Sequence, residues 1–185
     1  MSDAPFPTLT EFVSGPIAEV QKVAPATMLY APGGTRRSAV FAGIQPWSMD
    51  HSRWARGLFI EKIDLIFQHG VRHLLAPAIT PNNVQEVHTA RHKLYTLADW
   101  ILAGEESLQD YAHKGWRVRM IGGENVPELQ AATARLQSQT AQHAAHTLWW
   151  LIIPDYYTFW DKLLAAVRND AKVDSRDAIV RTIFG

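Results

Sequence analysis

The sequence predicts an α/β fold in which a mostly parallel sheet carries helices on both faces. Short apolar runs, each about the length of a buried strand, recur along the chain and are followed by proline or glycine. Stretches with helical periodicity separate these runs. Alternation of this kind favours crossover connections between parallel strands, and ligands of such sheets bind beyond the carboxyl ends of the strands.

The apolar runs are the predicted strands, and each has a turn residue close behind it. The first run precedes Gly33, the third precedes Gly122, and the fourth precedes Pro154. Strands of a parallel sheet have nearly continuous apolar side chains because both of their faces are covered. The predicted strands are 27–30, 73–78, 117–121 and 147–153.

Helical periodicity predicts the connections between the strands. The apolar side chains of 50–69 lie near one face of a helix, and Gly70 fits its C-terminal cap. The longer stretch 83–113 ends at Gly115, and Gly104 divides it into two helices if it acts as a break. The other predicted helices are 9–23, 127–140 and 156–168. The first of them is interrupted near Gly15.

Composition and charge exclude several classes of function. The chain of 185 residues has no cysteine, so disulfide and thiolate chemistry are excluded. Its 18 basic and 18 acidic side chains cancel, and the basic face of a nucleic-acid-binding protein is therefore not expected. No run reaches the roughly 18 apolar residues of a membrane-spanning helix, and the N-terminus lacks a signal-peptide pattern. We expect one cytoplasmic domain, 1–185, without nucleic acid as a partner and without an integral membrane segment.

Glycine-rich and polar segments follow all of the predicted strands. They begin near Gly33, Thr80, Gly122 and Pro154. Because the carboxyl ends of parallel strands meet at one edge of a sheet, we expect these segments at a common rim. Glu124 and other polar side chains of these segments suit either ligand contact or the capping of the next helix.

The segment Pro32-Gly-Gly-Thr-Arg-Arg37 is the strongest candidate for a ligand-binding loop. Its glycines let the backbone approach a ligand closely, and Arg36 and Arg37 carry planar guanidinium groups suited to phosphate oxygens. The loop therefore predicts a site for a phosphate or diphosphate group. An ordinary turn followed by surface arginines at a helix start is the alternative, and the residues alone leave both open.

The aromatic and histidine residues indicate a function less specifically than the candidate ligand-binding loop does. Many of the large rings lie in 41–54 and 149–160, where they either pack in the core or line a pocket for an apolar ligand. Two histidine pairs have helical spacing, but a zinc site needs three or four ligands, so surface positions are the better interpretation. The pairs are His88 with His92, and His143 with His146.

The sequence resembles the cis-prenyltransferase family, of the undecaprenyl diphosphate synthase type, and most closely its terpene-forming branch of tuberculosinol- and kolavelool-synthase-like enzymes. In that family the first strand ends in a D-G-N or D-G-T-R-R loop, where this chain has Gly33-Gly-Thr-Arg-Arg37. Similarity continues at Phe67-Gln-His-Gly-Val71, Thr80-Pro-Asn-Asn83 and Val118-Arg-Met-Ile-Gly122. It covers most of 27–168.

The resemblance implies roles for particular residues. Arg37 is the first candidate for binding the leaving diphosphate, and Arg36 and Tyr156 are the other catalytic candidates. Asn82 and Asn83 either contact the substrate or cap the following helix. The hydrocarbon tail is expected in a tunnel between the sheet and the helices of the second and third crossovers. The implied substrate-binding residues are Gly33, Gly34, Thr35, Arg36, Arg37, Asn82 and Asn83.

The chain departs from the family at two places. The resemblance implies Mg²⁺ as the cofactor, but Gly33 stands where the family has a metal-binding aspartate. Asp50 or Asp155 would have to supply the missing carboxylate ligand. The metal ligands are therefore unassigned. Family members also continue past the equivalent of 174–184 into strands that bear an Arg-x-Ser segment and a glutamate, which form a second diphosphate and metal site. The expected fold lacks those last strands.

The function implied by the resemblance is ionisation of an allylic isoprenoid diphosphate, with loss of diphosphate and capture of the cation by water to give a terpene alcohol. Chain elongation is less expected because it needs the second diphosphate site. One alternative is a non-catalytic relative that binds a prenyl diphosphate or serves as a scaffold subunit. Another is an unrelated α/β protein that binds phosphate. Family members usually pair, so a homodimer is expected.

Overall fold

A parallel sheet with the strand order β1-β2-β4-β3 organises the chain. The computed structural model describes residues 15–31, 33, 35–46, 48–87 and 91–155. All of the predicted strands are confirmed, and no strand end differs from its prediction by more than one residue. The strands are β1 (Thr27–Leu29), β2 (His73–Ile79), β3 (Arg117–Ile121) and β4 (Thr147–Ile152).

Helices connect the strands, as the periodicity predicted, and Gly104 does separate two of them. They are α1 (Ile17–Val23), α2 (Thr35–Phe41), α3 (Met49–Gln68), α4 (Pro81–Val87), α5 (Arg91–Ala103), α6 (Glu105–Lys114) and α7 (Gln130–Gln139), with short 3-10 turns at Gly123–Asn125 and Pro127–Leu129. The predicted helix 156–168 lies outside the described residues. No helix in the described part of the chain has both the length and the apolar character needed to cross a membrane.

Local sequence signals set the ends of α3. Ser48 is its N-cap, because the Ser48 hydroxyl accepts a hydrogen bond from the His51 N–H at 3.0 Å. Two residues beyond the last helical residue, Gly70 has a φ of 100°. Glycine adopts this left-handed conformation at little cost, so the predicted glycine stop is confirmed.

The two faces of the sheet are buried to different extents, because successive side chains of a strand point to opposite faces. On one face, helices cover the strands, and the Phe67 ring of α3 contacts Trp116 edge-on with 5.1 Å between ring centroids. The other face carries Leu75 and Trp149, which are aligned on neighbouring strands and only half-buried. The buried face consists of Leu74, Ala76, Val118, Met120, Leu148 and Trp150.

The two edges of the sheet also differ. On β3, the Val118 N–H donates to the Thr140 hydroxyl at 3.0 Å, and the Val118 carbonyl oxygen lies 3.1 Å from the same hydroxyl. Thr140 is buried, so a side chain closes this edge. All residues of β1 are exposed. The β1 edge is therefore open within the described residues.

Candidate functional site

The segment that follows β1 meets the helix that follows β2 at the rim of the sheet. Arg36 lies in the first turn of α2, and its Nη2 atom is 3.2 Å from both carboxylate oxygens of Glu86 in α4. About half of each side chain is exposed, at 49% and 46%. The predicted gathering of loops at the carboxyl ends of the strands is confirmed for these two segments.

Two other described residues of the candidate loop, Gly33 and Arg37, are open to solvent. Gly33 is exposed, and a Cβ atom added there would meet nothing within 4 Å. Thr35 begins α2 and is half-buried, whereas Arg37 is exposed and forms no ion pair with any described residue. An anion that approaches the rim can therefore reach the Arg37 guanidinium. Gly34 and Tyr156 lie outside the described residues, so their predicted roles stay predictions.

Asn83 has the capping role that the sequence left open. Its Oδ1 atom accepts hydrogen bonds from the Thr80 N–H at 2.9 Å and from the Thr80 hydroxyl at 2.8 Å. This is the backward half of a capping box, in which the third helical residue binds the backbone of the N-cap residue. Asn82 is exposed. Ligand contact by either asparagine stays a prediction.

The β3 and β4 ends of the rim are tightly packed. Gly122 has a φ of 86°, and a Cβ atom there would lie 2.3 Å from the Ile152 carbonyl oxygen. Only glycine fits this position without a backbone shift. The side chains of the following 3-10 turn bond to each other, since Asn125 Nδ2 donates to Glu124 Oε1 at 3.0 Å.

An apolar cavity of about 130 Å³ lies between the buried face of the sheet and helices α3 and α5. Its lining includes Ile79, the residue before the Thr80 cap of α4, and α4 is the helix whose Glu86 pairs with Arg36. The helix α5 belongs to the second crossover, where the hydrocarbon tunnel was predicted in part, whereas α3 belongs to the first crossover and no residue of α7 in the third crossover lines the cavity. The tunnel itself stays a prediction. Its lining includes Phe59 of α3, Ile79 of β2, Leu94, Ile101 and Leu102 of α5, and Trp150 of β4.

The sequence analysis missed the partners that shape this region. Neither Glu86 nor Tyr111 belongs to a motif, and adjacent Trp149 and Trp150 look alike in sequence although they lie on opposite faces of the sheet. The strand register could have separated the two tryptophans, because Trp150 aligns with buried Ala76. No local signal identifies Glu86, whose contact with Arg36 spans 50 positions.

The described residues do not form a preformed magnesium site. Gly33 has no side chain that could bind a metal ion, and the Glu86 carboxylate, which contacts the loop, is paired with Arg36. Asp50 is 84% exposed and pairs with Arg53 of its own helix at 3.5 Å. No cluster of three or more histidine, aspartate, glutamate or cysteine side chains with metal-binding geometry occurs among the described residues. Magnesium therefore stays a prediction from the resemblance.

The described members of the two histidine pairs either contact core residues or are exposed to solvent. His146 Nδ1 lies 3.0 Å from the Val71 carbonyl oxygen, and its ring stacks on Phe67 with 4.8 Å between centroids. His92 and His143 are exposed, and His88 lies outside the described residues. Contrary to the predicted helical spacing, residues 141–146 form bends rather than a helix, so His143 and His146 do not share a helix face.

Comparison with known proteins relates the chain to enzymes of isoprenoid chemistry. Over 182 residues, 98% of its length, the chain is 31% identical to a (+)-kolavelool synthase of Herpetosiphon aurantiacus. The chain spans 63% of the length of that protein. Its sequence matches no protein-family model.

Two solved structures share the fold. Lavandulyl diphosphate synthase from Lavandula x intermedia, in complex with dimethylallyl diphosphate, aligns with a TM-score of 0.62 and 14% identity over 88% of this chain and 72% of that one. A probable undecaprenyl diphosphate synthase from Campylobacter jejuni aligns with a TM-score of 0.57 and 12% identity over 85% and 67% of the two chains. The predicted fold class and the predicted resemblance are confirmed.

Proposed function

We propose that this chain, a homologue of kolavelool synthase with the fold of the cis-prenyltransferases, binds an allylic isoprenoid diphosphate and ionises its carbon–oxygen bond. The bond breaks with both electrons on the diphosphate, and water attacks the allylic cation and loses a proton to give a terpene alcohol. The observation that carries this proposal is an apolar cavity whose lining includes Ile79 at the end of β2, next in the chain to the helix whose Glu86 binds Arg36. A diphosphate with a hydrocarbon tail has the same two parts.

Arg36 and Arg37 have the charge that the leaving group requires. Negative charge grows on the diphosphate as the bond breaks, and fixed guanidinium groups stabilise that charge more in the transition state than in the ground state. Arg36 is already held beside the loop by Glu86. A half-exposed ion pair contributes only about 0–1 kcal/mol, so a diphosphate can replace Glu86 as the partner of Arg36.

The cavity supports the step after ionisation, in which the allylic cation is held until water attacks it. Phe59 and Trp150 contribute aromatic rings to its wall, and the rest of its lining is aliphatic. Aromatic faces attract cations, and an apolar wall keeps bulk water from the rest of the hydrocarbon. Among the described residues, Arg36 and Arg37 are the groups that this proposal uses to neutralise the charge of the diphosphate.

Binding without turnover is the alternative function, and Gly33 favours it. The family aspartate is absent there, and no described carboxylate cluster replaces it. In that case the same rim and cavity hold a prenyl diphosphate, or the chain acts as one subunit of a complex. The homodimer, the cytoplasmic location and the single domain also stay predictions.

One experiment separates these functions. The purified chain is incubated with prenyl diphosphates of ten, fifteen and twenty carbons and with a bicyclic diterpenyl diphosphate, with and without Mg²⁺. Released diphosphate, extracted alcohols and the shift in melting temperature are measured. We expect turnover that falls about 100-fold in kcat/KM in Arg37→Ala. Arg72→Ala is the matched control, since Arg72 is an exposed arginine at the opposite end of β2.

Each outcome selects one function. Thermal stabilisation by prenyl diphosphates without release of diphosphate favours the binding protein. Neither turnover nor stabilisation contradicts both proposals. Stabilisation by sugar phosphates in preference to prenyl diphosphates favours an unrelated phosphate-binding protein.

A further inference from the structure

The cavity beside β2 is the size of a small part of an isoprenoid chain. Its volume is about 130 Å³. An apolar protein cavity of about 150 Å³ binds benzene, which has six carbons. The cavity therefore fits about one five-carbon unit of a longer prenyl chain, and the residues that line it form the wall against which that unit packs.

Trp150 forms part of that wall and is held in place by a hydrogen bond. Its side chain is 2% exposed, and its indole N–H donates to the Tyr111 hydroxyl at 3.2 Å. A buried indole N–H needs a partner, and the position of that partner fixes the orientation of the ring. Without the Tyr111 hydroxyl the ring loses the contact that selects this orientation.

The same hydroxyl also holds a second wall of the cavity. Tyr111 is 1% exposed, and its hydroxyl donates to the Leu102 carbonyl oxygen at 3.1 Å. Leu102 lies near the end of α5 and lines the cavity, whereas Tyr111 itself does not. One oxygen atom thus joins Trp150 of β4 to the end of α5.

We infer that Tyr111 is a positioning residue that fixes Trp150 and α5 and thereby sets the length of hydrocarbon that the cavity accepts. This inference rests on the proposed function for its natural ligand. Removal of the hydroxyl lets the indole ring turn and the end of α5 move, so the cavity becomes deeper. A longer chain then fits better relative to a shorter one.

The test is Tyr111→Phe, which removes one oxygen atom and keeps the ring. Dissociation constants are measured by calorimetry for non-reactive thiolo analogues of the ten-, fifteen- and twenty-carbon prenyl diphosphates. We expect the preference between longer and shorter chains to change by about tenfold or more. Tyr95→Phe is the matched control, because Tyr95 is a buried tyrosine of α5 that does not line the cavity. The chain-length preference of this variant should equal that of the wild type.

A spectroscopic measurement reports the hydrogen bond itself. The indole N–H resonance of Trp150 is assigned by its loss in Trp150→Phe, and it should shift in Tyr111→Phe and not in Tyr95→Phe. If the resonance shifts while the chain-length preference stays that of the wild type, the inference is wrong. If Tyr111→Phe does not fold, Trp150→Phe must change the preference instead, and an unchanged preference in that variant also contradicts the inference.

Failure of the proposed function gives a different result. If the wild type binds none of the diphosphate analogues, benzene and butylbenzene are titrated as apolar probes of the same cavity. Tyr111→Phe should then favour butylbenzene over benzene relative to the wild type. Equal preference in the two proteins overturns the inference independently of any diphosphate.

Discussion

The β1 side of the sheet and the block formed by β2, β4 and β3 differ in packing. Leu29 of β1 is 64% exposed and Phe41 of α2 is 92% exposed, whereas Leu148 of β4 is fully buried. The candidate loop with Arg36 and Arg37 lies on the exposed side, whereas the resemblance segments that contain Phe67 and Val118 contribute to the core of the packed block. Ligand-binding segments are commonly drawn from the less stable parts of a fold, because such parts can adapt to a ligand.

In the proposed function, the residues that would bind the diphosphate are therefore different from those that carry most of the stability. Substitutions in the packed block should lower the free energy of unfolding, and matched substitutions on the β1 side should leave it nearly unchanged. Three pairs of variants test this contrast, each with one member on either side. A pH titration tests the point at which the two sides meet.

The largest effect is expected from Phe67→Ala. Phe67 is 2% exposed and packs against the rings of Trp116 and His146. Truncation leaves a cavity and should lower the free energy of unfolding by about 3–5 kcal/mol. The matched variant on the β1 side, Phe41→Ala, should change it by about 0.5 kcal/mol or less. Urea unfolding followed by tryptophan fluorescence measures both, and similar losses would show that the β1 side is packed as tightly as the block.

The two glycines of the rim give the next largest contrast. Gly122→Ala forces a left-handed backbone on alanine and places its Cβ atom 2.3 Å from the Ile152 carbonyl oxygen. Strain and overpacking together should cost about 2–4 kcal/mol. Gly33→Ala has open space around its Cβ atom, and a change of about 0.5 kcal/mol or less is expected. Melting curves check the pair, and a stable Gly122→Ala protein would contradict the described junction of β3 with β4.

The two threonines at the sheet edges give a smaller contrast. Thr140→Val removes the hydroxyl that binds both backbone groups of Val118 and leaves the buried Val118 N–H without its partner. The expected loss is about 1–3 kcal/mol. Thr27→Val alters the exposed β1 edge and should change stability by about 0.5 kcal/mol or less. Hydrogen exchange of the Val118 amide should quicken in Thr140→Val alone, and unchanged protection would exclude the edge-closing role.

The sequence predicted the sheet better than the site, and the reason is physical. Strands such as 117–121 are continuous in sequence, so their apolar character and the glycine after them are local signals. The site depends on contacts between distant positions. Glu86 meets Arg36 across 50 positions, and Tyr111 meets Trp150 across 39.

The candidate loop itself was found because its chemistry is also local. Glycines and adjacent arginines between Gly33 and Arg37 predict phosphate binding from residue type alone. Whether Asn83 capped a helix or met a ligand could not be decided from sequence, since both uses need the same side chain at the start of a helix. The structure shows the cap because it shows the Thr80 backbone.

The smallest effect on stability is expected at His73. This residue lies where the two sides meet, because it pairs with Thr27 of β1 and Thr147 of β4. Burial lowers the pKa of His73 below its usual 6.5, and the charges of Arg72 and Arg117 lower it further. His73 therefore binds a proton more readily in the unfolded chain than in the folded chain. Its contribution to stability is constant above pH 6.5. That contribution decreases as the pH falls below 6.5 towards the folded-state pKa.

Two measurements test this sign. In NMR titrations the His73 pKa should rise towards its usual value in Arg72→Gln, because one neighbouring positive charge is removed while the burial remains. In urea unfolding between pH 5 and pH 7, His73→Gln should weaken the loss of stability at acid pH. A His73 pKa above its usual value would contradict the described surroundings of His73, in which burial and two positive charges disfavour the protonated ring.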